Sequence, residues 1–232
     1  MAKEPTSRVK AQGRPENAPN SDPNSAHFFT TDVREPFKVI GEQMVYQGWK
    51  NVMHRTIELP NGKTTRYDIN HSDCPAVFVV PWDTQKKTTI FAEEYYPGPN
   101  QWKKGFVAGL YERKKHESPL HAAKLELEEE AHLVGGKWIN LINERGVMDY
   151  EKYSDQIFYA FLCLDPVHTD DPRPLDDSEV IYLHRDVPAK AVLEGALHGH
   201  FTVTTSLAAL LAIEKLREIG ELPKDFSLAL GA

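Results

Sequence analysis

Three features of this 232-residue chain predict an α/β (α+β) fold with helices packed on a sheet. Between residues 37 and 109 the apolar residues are mostly β-branched or aromatic and fall in short runs separated by turn residues. One sharply bounded helix follows, after which strands resume. Two helices then close the chain.

The elements follow in order. Residues Met1–His27 hold four prolines, several Ser and Asn, and Val9 as the only branched aliphatic residue. Such a segment cannot bury enough apolar surface to offset its ordering entropy, so residues 1–27 are expected to be a disordered polar tail. The tail has no apolar stretch like that of a signal peptide, and its acidic residues argue against a transit peptide. Phe37–Trp49, Asn51–Leu59 and Thr64–Asn70 read as strands, the last two joined by the turn signal Pro60-Asn61-Gly62-Lys63. They make residues 28–72 an N-terminal antiparallel strand region, ahead of a main domain over 73–226 and a short tail at 227–232.

Ala76–Pro81 is short, apolar and β-branched, as a buried strand requires. Thr88–Tyr96 follows, then the breaker Pro97-Gly98-Pro99-Asn100, then Trp102–Gly109. Ser118-Pro119 places an N-cap residue before a proline at the first helical position. The helix is expected to run to about Leu133 and to stop at Gly135-Gly136. Lys137–Glu144, Gln156–Leu164 and Glu179–His184 read as strands, separated by polar loops over 145–155 and 165–177. The closing helices span Pro188–Leu197 and roughly Thr202–Ile219, the second with Val203, Leu207, Leu210 and Leu211 on one face.

Composition narrows the function. The chain has 27 Lys+Arg against 34 Asp+Glu, a net charge of −7, and no basic cluster, which argues against binding a nucleic-acid backbone. No apolar run approaches the roughly 20 residues of a membrane span. Cys74 and Cys163 are too few and too far apart for a disulfide framework or a zinc site, which suits a reducing compartment, cytoplasmic or organellar. His198-Gly199-His200 lacks a third metal-ligating neighbour and reads as a loop between helices.

The informative segment is Leu120–Leu133, LHAAKLELEEEAHL. At about 100° per residue, Glu126, Glu129 and Glu130 share one face within about one turn. Leu120, Ala123, Leu127 and Ala131 form a separate apolar stripe. Carboxylates at i and i+4 repel, and no lysine stands at i+4 on this face to relieve them. A hard divalent cation would do so, since Mg²⁺ and Mn²⁺ prefer carboxylate oxygens. The same spacing also fits a solvated acidic face.

This segment resembles the Nudix box, G-x5-E-x7-R-E-U-x-E-E-x-G-U, where U is a bulky aliphatic residue. Glu117 falls at the first glutamate, Glu126, Glu129 and Glu130 at the others, Leu127 and Leu133 at the aliphatic positions, and Gly109 at the leading glycine after a two-residue insertion. EEYYPGPNQW (Glu93–Trp102) with FVAG (Phe106–Gly109), YSDQIFYAFL (Tyr153–Leu162) and SEVIYL (Ser178–Leu183) are similar to strands of the ADP-ribose and ADP-sugar pyrophosphatases of that superfamily.

The resemblance implies a Nudix-type α/β/α sandwich with a mixed central sheet. It also implies Mg²⁺- or Mn²⁺-dependent hydrolysis of a nucleoside diphosphate-linked small molecule to a nucleoside monophosphate and a sugar phosphate. The implied metal ligands are Glu126, Glu129, Glu130 and the Ala108 carbonyl. Glu129 and Glu130 are the implied catalytic carboxylates and a homodimer the implied assembly; with glutamine at 156 a base would have to come from Glu151, Asp155 or a box glutamate. Tyr96 and Trp102, aromatic residues flanking the Pro97–Pro99 turn, are candidates to stack on a nucleobase, and Gly109 is a further candidate substrate contact. Five positions depart from the pattern: Leu125 replaces the box arginine, His132 the second glycine, Tyr96 an arginine on the preceding strand, Gly105 a glutamate, and Gln156 the loop glutamate proposed as general base. Those departures keep a second reading open, a catalytically impaired member that binds a ligand or assembles a complex.

Overall fold

The computed structural model describes residues 35–142, 145–176 and 179–227. The polar tail and the ends of the strands expected to reach Glu144 and to begin at Ser178 lie outside them. The strands are β1 (Lys38–Tyr46), β2 (Asn51–Glu58), β3 (Thr64–His71), β4 (Ala76–Trp82), β5 (Thr88–Tyr96), β6 (Gln101–Gly105) and β7 (Val107–Leu110). Helix α1 (Pro119–Ala131) follows, then β8 (Leu133–Val134), β9 (Lys137–Asn140), β10 (Met148–Asp149), β11 (Ile157–Leu164), β12 (Val167–His168) and β13 (Ile181–Pro188). Helices α2 (Ala189–Leu197) and α3 (Val203–Glu218) close the chain.

The central sheet has the order β10-β11-β4-β7, with β9 also paired to β11. It is mixed: β11 runs parallel to β4, from Phe158 opposite Ala76 to Leu164 opposite Trp82, and β7 runs antiparallel to β4 on the other side. Alternation sends β4 side chains to two cores. Val77 and Val79 pack with Ala123, Leu127 and Ala131 of α1, whereas Phe78, Val80 and Trp82 pack with Val192 of α2 and Ala208, Ala212 and Leu216 of α3. Helices thus cover both faces, the α/β/α layering of the Nudix fold. A second sheet, β13-β5-β6, extends the scaffold, and β1-β2-β3 form an antiparallel sheet of their own.

Several boundaries differ from the sequence reading, each for a local reason. The stretch Trp102–Gly109 is two strands, because the chain leaves β5 at Gly105 and joins β4 at Val107, with Phe106 buried at the crossover. Pro188 ends β13 and serves as the N-cap of α2 instead of beginning the helix. The buried face of α3 is Thr204, Thr205, Ala208, Ala209, Ala212, Ile213 and Leu216. Val203, expected inside, is 86% exposed. Small residues let α3 lie close to the sheet, and close approach here outweighs the larger aliphatic stripe.

Helix α1 begins as the sequence predicts: the Ser118 hydroxyl accepts the His121 N–H at 3.1 Å. It ends earlier than expected, at Ala131. His132 takes the left-handed conformation (φ 57°) and its N–H closes onto the Glu128 carbonyl at 3.0 Å, so the departure from glycine keeps a glycine-like exit. Leu133 can then turn away to pair with β12. A side chain in this conformation costs about 1 kcal/mol. His132→Gly is therefore expected to raise the urea unfolding midpoint by an amount worth about 1 kcal/mol, with little change in m-value.

Candidate active site on the glutamate helix

The site is built by laying α1 along the free edge of β7. In the antiparallel pairing with β4, Ala108 and Leu110 present their N–H and C=O groups away from β4, toward the helix. Glu130 accepts the Ala108 N–H at 3.3 Å, and the Glu126 carboxylate lies over Gly109, near the Leu110 N–H. Between them stands Gly109, and a Cβ at that position would lie 1.7 Å from Glu126 Oε1. Gly109 is thus required by space: only a residue without a side chain lets the carboxylate reach the strand.

Electrostatics follow from that proximity. Glu130 is 4% exposed. Its burial, then the nearby charges of Glu94 and Glu126, raise its pKa well above the usual carboxylate range, and the Ala108 N–H opposes the shift. Burial, then Glu129 and Glu179, raise Glu126 to about 7, against the pull of the Leu110 N–H. Glu94 on β5 is also raised, by burial and then by Glu179. Glu129 is engaged differently. Arg173, from the segment between β12 and β13, donates through Nε to Glu129 Oε1 at 2.5 Å. The sequence shows no lysine at i+4 to relieve this face, and the structure supplies an arginine from elsewhere. The partner is 44 residues away in sequence.

Among the described residues no three His, Cys, Asp or Glu side chains converge on one point. Glu130 is turned onto Ala108, Glu126 onto Gly109 and Glu129 onto Arg173. The donors themselves are carboxylate oxygens, together with the Ala108 carbonyl, which shares the open strand edge with its N–H. Such a set suits a hard divalent cation. The crowding of raised carboxyls is the electrostatic situation that such a cation would relieve.

The other candidates fall in separate places. Tyr96 faces the glutamates, and burial, then the charges of Glu94 and Glu130, push its hydroxyl up to about 12, so it stays a neutral donor. Gly105 lies beside it, where a Cβ would come 3.3 Å from the Tyr96 oxygen. Trp102 pairs with Tyr95 and therefore points to the opposite face of the sheet, 47% exposed, with its ring 5.4 Å from that of Tyr182. Gln156 is buried and donates to the Cys74 carbonyl at 3.4 Å. Asp155 accepts from the Ser72 N–H at 3.0 Å and pairs with His71 at 2.7 Å. Glu151 is exposed on the turn before Ser154 and forms no ion pair among the described residues.

Sequence reasoning missed Glu94, Glu179 and Arg173. Glu94 carried a signal, since alternation along TTIFAEEYY puts it on the inward side with Ala92 and Tyr96. Nothing in the sequence marks Glu179.

Two measurements check this geometry. Gly109→Ala forces the Glu126 carboxylate off β7, and divalent-cation affinity by titration calorimetry is expected to fall by about 10–100-fold. A carboxyl whose pKa rises on folding holds its proton more tightly in the native state. Cation-free protein therefore loses stability from Glu126 as pH climbs from 4.5 to about 7, and loses no more above that. Glu126→Gln should flatten this part of the Tm-against-pH profile.

Comparison with known proteins agrees with the fold. A solved structure described as "Crystal structure of ADP compounds hydrolase" superposes with a TM-score of 0.64 at 20% identity, covering 83% of this chain and 100% of that one. No curated protein matches the sequence. No helix among the described residues is long and apolar enough to cross a membrane. The family model of the NUDIX domain matches residues 73–203, more than half of the chain, from just after β3 to the start of α3. On that match the chain belongs to the Nudix family of pyrophosphohydrolases, which generally work with a divalent cation.

Proposed function

We propose that this chain hydrolyses the diphosphate bond of a nucleoside diphosphate-linked substrate of the ADP-ribose or nucleotide-sugar type, releasing a nucleoside monophosphate and a sugar phosphate. The observation that carries the proposal is the pair of Glu130, buried, and Glu126, half-buried, against β7 in the space that Gly109 leaves. Two carboxyls kept in such a place at an electrostatic cost are poorly explained as a solvated face. A structural hydrolase neighbour supports the same reading.

In this reading Glu126, Glu129, Glu130 and the Ala108 carbonyl hold Mg²⁺ or Mn²⁺. Once bound, the cation would neutralise phosphate oxygens and acidify a water. The protein's own share is positioning and proton transfer. Tyr96, neutral and beside the glutamates, donates a hydrogen bond to the substrate, with Gly109 keeping the strand edge open. Glu151 takes the proton of the attacking water, because Gln156 cannot and Asp155 is engaged by His71.

The N-terminal sheet supports a homodimer. Val39, Ile40, Val45 and Tyr46 are exposed along β1, Phe37 is exposed just before it, and Trp49 is 91% exposed beyond it. A contiguous apolar edge of this kind is a pairing surface. Light scattering should return twice the monomer mass, and Val39→Lys with Ile40→Lys should shift it toward monomer.

A Mg²⁺-dependent assay on ADP-ribose, ADP-glucose and UDP-glucose tests the reaction. Nucleoside monophosphate should appear with at least one of them and vanish in Glu130→Gln. Loss in Glu94→Gln but not in Glu151→Gln would reassign the base to Glu94. The commitment of Gln156 and Asp155 to structural bonds favours a second reading, a member that binds its ligand without turnover. That reading predicts thermal stabilisation by ADP-ribose with no product.

A further inference from the structure

In the Nudix pattern an arginine stands one turn before the third box glutamate, where an i,i+4 pair can orient the carboxylate. Here that position is Leu125. The guanidinium at Glu129 comes instead from Arg173, whose Nε donates to Glu129 Oε1 at 2.5 Å.

The segment that delivers it is built for the purpose. Arg173 lies between Pro172 and Pro174. Each proline fixes its own φ, and Pro174 restricts Arg173 to extended backbone. The arm therefore has little conformational freedom to lose when it meets the helix. Its start is pinned to the end of α1, where Val167 and His168 pair with Val134 and Leu133 and the Thr169 N–H donates to the His132 carbonyl at 3.0 Å. Its far end enters β13 at Ile181, directly opposite Glu94. The described ends of this connection thus lie at the C-terminus of α1 and on the strand paired with the one that carries Glu94, and Arg173 between them meets Glu129.

The side chains of Arg173 and Glu129 are 52% and 23% exposed. An ion pair this open contributes little to stability. Orientation of the carboxylate is the role left for it.

We propose that Arg173 is the positioning residue for Glu129, replacing from a separate segment the arginine that the helix lacks at Leu125. The proposal rests on the hydrolase reading of this face. Arg173 fixes the direction of the Glu129 carboxylate as an oxygen donor, while Glu126 and Glu130 lie against β7.

The test uses the full-length chain, with Mn²⁺ binding followed by electron paramagnetic resonance without substrate, and kcat and KM for ADP-ribose at saturating Mg²⁺. Arg173→Ala should weaken Mn²⁺ binding about 10-fold and lower kcat with KM nearly unchanged. Arg173→Lys should recover part of the loss, since a point charge lacks the planar fork. Leu125→Arg added to Arg173→Ala should restore Mn²⁺ affinity to within about threefold of wild type. In a Glu129→Gln background, Arg173→Ala should have no further effect. Wild-type Mn²⁺ affinity in Arg173→Ala, or an undiminished effect of that change in Glu129→Gln, would overturn the proposal. A wild-type protein that neither binds Mn²⁺ nor turns over any substrate would instead overturn the hydrolase reading on which it rests.

Discussion

The closeness of α1 to the open edge of β7 is the constraint on which the rest of the site depends. It is permitted by absence: Gly109 has no side chain, and Ala122 and Ala123 are fully buried where anything larger would hold the helix away. Leu127 and Ala131 then seal the other side against Val77, Val79 and Val107. Burying these residues drives the helix onto the sheet, and the glutamates travel with it. Their crowding is a consequence of packing and carries an electrostatic cost.

Protein groups reduce that cost one carboxylate at a time. The Ala108 N–H of β7 serves Glu130, the nearby Leu110 N–H lowers the pKa of Glu126, and Arg173 serves Glu129. Protons reduce it further, since burial and mutual repulsion raise Glu126 to about 7 and push Glu130 well above the usual carboxylate range. A cation would substitute for those protons, which links metal affinity to pH through the same residues. The N-terminal sheet is tied to this region as well. The Asn70 N–H donates to the Tyr153 carbonyl at 2.8 Å, the Ser154 hydroxyl bonds the Asn70 carbonyl at 3.0 Å, and His71 grips Asp155. The loop that carries Glu151 is therefore held by β3. A change in how the N-terminal sheet docks would move that loop.

The layered fold was legible because its signals are local. Alternating β-branched runs, the Ser118-Pro119 cap and the Pro-Gly breaks act over a few residues, and each does what its chemistry predicts. The helix end was less legible. Gly135-Gly136 looks like the stop, yet both glycines serve the following turn, and Gly136 sits where a Cβ would meet Cys163 Sγ at 2.6 Å. The exposed Val203 shows the same limit, since the periodicity of α3 cannot say that small residues will take the inner face.

By itself the sequence determined the order of elements, the Nudix likeness and the glutamates that share one helical face, because 3.6-residue periodicity sets which residues are neighbours on a helix. Only the tertiary structure decided their environment. Glu94 arrives on β5, Arg173 on a segment 44 residues beyond Glu129, and Trp102 is turned to the other side of the sheet from Tyr96. Contacts of that kind depend on strand pairing and on where the chain crosses between sheets. Electrostatic balance in a buried cluster is a sum over such long-range neighbours, so it is fixed only when the layers have closed.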